Sequence, residues 1–175
     1  MDERRLPLTE HLRELRTRLI RALLAVGVGC IFSWTFKERI FRALLAPAVR
    51  ALGAQGGHLQ AIAPGEIFFT YLEGAILGGF VLALPVVLWQ AWAFVSPGLY
   101  TTERRFAVPF VTVTTLLFLT GSLFGHQVVF PFMFQFLSGF ESEFVQSAWS
   151  MREVFDLTTR LFLAFGLAFE LPVVV

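Results

Sequence analysis

The sequence predicts an all-α polytopic membrane protein with four transmembrane helices, the fourth incomplete. Three observations predict it. The 175-residue chain is 56% hydrophobic and 15% charged, with mean hydropathy +0.69, whereas a soluble domain is about a quarter charged and under half apolar. Two long stretches, 74–102 and 106–140, hold no Asp, Glu, Lys or Arg. At about 20 residues per span the length has room for four or five helices, so residues 1–175 read as a single membrane domain and a multidomain enzyme is excluded. A net charge of +1 leaves no basic field for a nucleic acid.

The elements follow in order. Thr9 can cap a helix that starts at Glu10 and runs without a breaker into the apolar stretch, so residues 1–18 are expected to carry a helical extension of the first span, 19–36. Arg21 snorkels at its edge. Residues 37–66 form a connection whose first part, 37–52, places Ile40, Phe41, Leu44, Leu45, Val49 and Leu52 near one face. Such a segment is expected to lie in the membrane surface, interrupted at Pro47. The glycine-rich stretch 53–65 reads as a loop. The charge-free run 74–102 would make a helix about 43 Å long, more than a bilayer needs, so the second span sits within 67–94, kinked at Pro85. A short connection, 95–105, leads to a third span at 106–130, ended by Pro131. A second connection, 131–154, precedes a fourth span at 155–175, still apolar where the sequence stops.

Basic residues favour the cytoplasmic side in short loops. Segments 1–21 and 96–105 carry eight Lys or Arg in 31 residues, and segments 37–66 and 131–160 carry six in 60. The N-terminus is therefore expected in the cytoplasm. A cleaved leader does not fit, because Lys37, Glu38 and Arg39 directly follow the apolar stretch.

The residues offer little chemistry for catalysis. His11, His58 and His126 lie in separate segments, and no metal, nucleotide or nucleophile motif occurs, so neither a cofactor nor an enzyme is indicated. Ser122 and His126, one turn apart, read as an interfacial hydrogen-bonding patch. Cys30 reads as a small packed hydrophobe. The carboxylates are more informative. Glu170 stands deep in the fourth span, where burying it costs several kcal/mol, about 2.5 to 3.5 on insertion scales; it either serves a function or glues two helices by a hydrogen bond. Glu14 has Arg18 four residues on, a pair contributing about 0.2–0.5 kcal/mol. Glu103 lies beside Arg104 and Arg105. Together Glu14 and Glu103 put two carboxylates on one expected face, suited to a dibasic ligand.

Several segments in order, LTEHLRELRTRL at 8–19, LAPAV around Pro47, LPVVLWQAWAFVSPGLYTTERR at 84–105, VVFPF at 128–132 and AFGLAFELPV at 164–173, together resemble the TatC family. TatC is the multispanning subunit of the twin-arginine protein translocase of the cytoplasmic (inner) membrane. The resemblance implies a six-span fold with a concave groove, of which this sequence carries spans one to four. It implies a receptor for the twin-arginine signal peptides of folded precursor proteins, working with single-span subunits of TatA and TatB type in a hetero-oligomer driven by the proton-motive force. Matched by position, Glu14, Arg16, Phe94 and Glu103 would bind the signal peptide, Arg104 and Arg105 would shape its field, Pro47 would position the first outer loop, and Glu170 would face the groove and a partner. The alternative is part of a proton-coupled transporter using Glu170 as a relay, for which only Glu73 offers a second group. A purely structural scaffold would leave the paired carboxylates unexplained.

Overall fold

The computed structural model describes residues 8–53, 59–95, 107–140 and 149–174, and nearly all of them are helical. Helix α1 (Leu8–Thr35) runs unbroken from its charged first half into its apolar second half, as expected where no Pro or Gly intervenes before Gly27. The axis then turns through 84° into α2 (Lys37–Gly53). Helix α3 (Glu66–Val95) continues through Pro85. Helix α4 (Ala107–Phe124), a π turn (Gly125–Val129) and α5 (Phe130–Ser138) follow one another directly, and α6 (Met151–Val174) ends the described chain.

Two proline expectations are corrected. Helix α2 is not interrupted at Pro47, which is buried within it. The third apolar helix does not end at Pro131 but continues to Ser138. A proline cannot donate to the carbonyl four residues back and its ring crowds that turn. The π turn just ahead of Pro131 widens the helix there, and the Phe130 N–H donates to the Gly125 carbonyl in the i→i−5 pattern.

By length and apolarity, two described stretches can cross a membrane, Glu66–Phe94 and Ala107–Ser138. A third qualifies if α1 and α2 are counted together across their bend. Among the described residues α6 is not one of these stretches; Arg152, Glu153 and Asp156 fall in its first turns, and the rest of the helix, 157–174, holds only Arg160 and Glu170 as charged residues. Along α1, Leu23, Leu24, Val28 and Ile31 are exposed, an arrangement suited to lipid and not to water.

Glycines set the two closest helix crossings. Where α1 meets α3, a Cβ on Gly29 would lie 2.5 Å from the Gly79 carbonyl oxygen, and one on Gly79 would lie 2.4 Å from the Cys30 nitrogen. Where α4 meets α6, a Cβ on Gly121 would lie 2.5 Å from the Phe165 carbonyl oxygen. Small residues permit this approach, and between helices in lipid van der Waals contact is the main attraction available.

The core lies where α2, α5 and α6 converge: Leu44, Leu45 and Ala48 pack with Phe130, Phe134, Met151, Val154 and Phe155. The apolar side of α2 is thus turned largely onto protein. The two longer connections meet at the same end, where the Gln60 N–H donates to the Trp149 carbonyl (3.0 Å) and the Met151 N–H to the Gln60 carbonyl (2.9 Å). Glu66 fastens this junction. One carboxylate oxygen accepts from the Ile62 and Ala63 amides (2.6 and 3.1 Å), the other from the Ser150 hydroxyl and the Arg152 amide (2.9 and 2.8 Å). Four donors on one buried carboxylate fit its ionised form, and it closes the first turn of α6, where a negative charge is favoured.

Candidate functional site

The charged half of α1 presents a shallow depression of about 280 Å³ lined by Glu10, Arg13, Glu14, Thr17, Arg18 and Arg21. These residues recur at helical spacing and so share one face. Glu14 is half-buried there and accepts from Arg18 Nε at 2.9 Å, with Arg18 Nη2 also in contact. The local pair expected from the sequence is therefore present. Arg16 is exposed on α1 and does not line the depression.

Phe94, at the end of α3, is brought to this part of α1 by a contact that spacing could not reveal. Its ring stacks on His11, with centroids 4.4 Å apart and planes inclined at 25°. His11 lies three residues before Glu14 and so on a neighbouring part of the same helix surface. Its histidine character gave no signal in the sequence; its i, i+3 relation to Glu14 is the only one it carried. Glu103, Arg104 and Arg105 lie outside the described residues.

Pro47 has a specific partner. Lacking an N–H, it leaves the Ala43 carbonyl without its helical donor, and His126 Nε2 stands 2.9 Å from that oxygen and 3.2 Å from the Leu44 carbonyl oxygen. Facing two carbonyls, the ring nitrogen must be the donor. The imidazole of the π turn thus supplies the hydrogen bond that the proline removes from α2. Ser122, one turn earlier, donates to the Phe162 carbonyl at 3.1 Å. Both polar side chains serve helix contacts, and no nucleophile–base pair forms between them.

Glu170 is half-buried on α6, and its Oε1 is shielded without a hydrogen-bond partner among the described residues. The hydroxyls of Thr158 and Thr159 on the same helix are likewise shielded and unpartnered there. Glu73, the other acidic residue the sequence offered for a relay, lies 3.9 Å from Arg152 in a partly exposed ion pair. Among the described residues no group of His, Cys, Asp and Glu could hold a metal ion.

Comparison with known proteins agrees with these features. Residues 10–175 match the family model TatC, Sec-independent protein translocase protein. The chain is 46% identical over 173 residues to the Sec-independent protein translocase protein TatC of Desulforapulum autotrophicum, covering 99% of this chain and 64% of that protein. It is 37% identical over 169 residues to the protein of that name from Escherichia coli (strain K12), covering 97% and 65%. A crystal structure of the twin arginine translocase receptor TatC superimposes with TM-score 0.84 at 34% identity, over 94% of this chain and 72% of that one. The chain thus spans a little under two thirds of the length of these two relatives. It belongs to the TatC family, whose members are components of a protein translocase and not enzymes.

Proposed function

From membership of the TatC family we propose that the chain is a receptor and core subunit of a twin-arginine translocase in the cytoplasmic membrane, with its N-terminus in the cytoplasm. On this reading it has four spans arranged about a concave groove. Glu14, Arg16, Phe94 and Glu103 form the surface that takes the paired arginines of a signal peptide. Arg104 and Arg105 shape the field around them. Pro47 sets the first outer connection, and Glu170 faces the groove and a single-span subunit of TatA or TatB type. Transport of folded precursors draws on the proton-motive force.

The observation that supports this reading best is the His11–Phe94 stack, which joins the end of α3 to the part of α1 that carries Glu14. Glu103 follows Phe94 in the connection between α3 and α4. A guanidinium fork matches a carboxylate in shape and charge, and such a bond contributes about 1.5–3 kcal/mol. The Glu14–Arg18 pair has a consequence: an incoming guanidinium must displace or share with Arg18.

The test is crosslinking of a twin-arginine peptide to the chain in membranes. Glu14→Gln should weaken capture by about tenfold, and Arg18→Gln, which frees Glu14, should not weaken it. Undiminished capture in a Glu14→Gln, Glu103→Gln double variant would refute the assignment, and equal capture of a Lys-Lys peptide would remove its basis in guanidinium geometry. The relay alternative needs a succession of ionisable groups, and Glu73 already faces Arg152.

A further inference from the structure

The corner where α1 turns into α2 carries two adjoining concavities that share Phe36. The first is an apolar cavity of about 430 Å³ between α1, α2, α3 and the π turn, lined among others by Phe32, Ser33, Ile40, Leu77, Leu82 and His126. Its volume is that of a small-molecule site. Two polar residues line it. Ser33 is 1% exposed and its hydroxyl has no partner among the described residues, while the His126 ring is held from behind by the Ala43 and Leu44 carbonyls. The second concavity, about 580 Å³, is lined by Trp34, Lys37, Arg39 and Arg42 with Glu38. Lys37 Nζ stands 4.4 Å from the Trp34 ring centre and the Arg39 guanidinium 5.8 Å from that of Phe36. Arg42 meets Glu38 at 3.6 Å, both well exposed. Three cations against one carboxylate leave this concavity positive, at the start of a 17-residue helix whose dipole adds to the effect.

We propose that the α1–α2 corner is a binding site for an anionic phospholipid, with an acyl chain in the apolar cavity and the phosphate on Lys37, Arg39 and Arg42. The charges decide the occupant. An acyl chain gains little by leaving other lipid tails for apolar side chains, so selectivity must come from the headgroup, where each basic residue near an anionic surface favours binding about fivefold. A polypeptide segment would bring a row of backbone donors and acceptors into the cavity, and the cavity, apolar but for the His126 ring and a shielded Ser33, offers them almost nothing. Trp34 adds the amphipathic ring that settles at headgroup level.

The chain is reconstituted in an equal mixture of phosphatidylglycerol and phosphatidylcholine, extracted in mild detergent, and the retained lipid is counted by native mass spectrometry. Phosphatidylglycerol should be retained over phosphatidylcholine by about tenfold or more. The Lys37→Gln, Arg39→Gln, Arg42→Gln variant should lose that preference. Ala43→Phe, which fills the cavity from an exposed position and leaves every charge in place, should lose retention as well, and Arg50→Gln at the far end of α2 should not. Circular dichroism establishes that each variant keeps its helix content. Equal retention of the two lipids by the unaltered chain overturns the proposal, as does a preference that survives the triple change. Retention unaffected by Ala43→Phe reduces the site to diffuse surface attraction and overturns it too, and a polypeptide held at the corner in place of lipid assigns the cavity to another class of occupant.

Discussion

The His126 ring and the Ala43 carbonyl that Pro47 leaves without its helical donor meet across 83 residues, and this relation can be separated from simple packing. A carbonyl left without a donor costs about 1–3 kcal/mol where water cannot replace it. His126→Phe keeps most of the ring volume and removes the donor, so it should destabilise the protein by about that amount in thermal unfolding in detergent. In a Pro47→Ala background the N–H of residue 47 returns to the Ala43 carbonyl, and the same His126 change should then cost about 1 kcal/mol less. Equal losses in both backgrounds would refute the compensation. The contrast with Glu14 shows what a sequence discloses at this scale. The Glu14–Arg18 pair was legible because i, i+4 neighbours on a helix meet whatever the fold. The Pro47–His126 and His11–Phe94 contacts join separate helices, and nothing local announces them. Glu66 is of the same kind, a carboxylate before an apolar run whose second pair of donors comes from 84 and 86 residues away.

At the level of helices, the apolar stretches were readable from charge-free length, while the fate of their prolines was not. Pro47 and Pro131 were expected to stop helices. A histidine from another segment supplies the donor missing at the first, and a π turn gives the second room, so both helices continue. Isolated propensity holds no term for such compensation. Nothing in the sequence names the helix that each glycine of these spans meets. The structure assigns Gly79 to α1 and Gly121 to α6. At both positions the obstacle to a side chain is backbone, which cannot swing aside. Gly79→Leu and Gly121→Leu should each force their helices apart and destabilise the protein by about 1–3 kcal/mol or more. Gly27→Leu should be close to neutral, because nothing lies within 4 Å of a Cβ there. A Gly27 variant as unstable as the other two would show that helix propensity or lipid contact, and not the crossing, decides.

The molecule as a whole divides into two ends, and this division supports the topology more strongly than the counts of basic residues do. His11 on Phe94 fixes the charged half of α1 and the end of α3 at one end. The Gln60–Ser150 bridge and the Glu66 hydrogen bonds fix the connections ahead of α3 and α6 at the other. That the chain is an all-helical membrane protein was legible from composition alone; which connections share an end follows from contacts between residues far apart in sequence. Basic residues are more than twice as dense in 1–21 and 96–105 as in 37–66 and 131–160, which is the bias expected of the first end under the proposed cytoplasmic orientation. Single cysteines at Leu12, Thr102 and Gly56, on a Cys30→Ala background, test this with an impermeant thiol reagent on intact cells and on inverted vesicles. Cys30 lies in the α1–α3 crossing beside Gly79, and its loss removes one small sulfur contact, so the background should fold. Gly56→Cys should react from outside, and Leu12→Cys and Thr102→Cys only from the cytoplasmic face. Reversal of all three would leave the two ends intact and invert the chain in the bilayer. Labelling of Leu12→Cys and Thr102→Cys from opposite faces would contradict the His11–Phe94 contact itself, and with it the joining of Glu14 to the end of α3 on which the receptor reading rests.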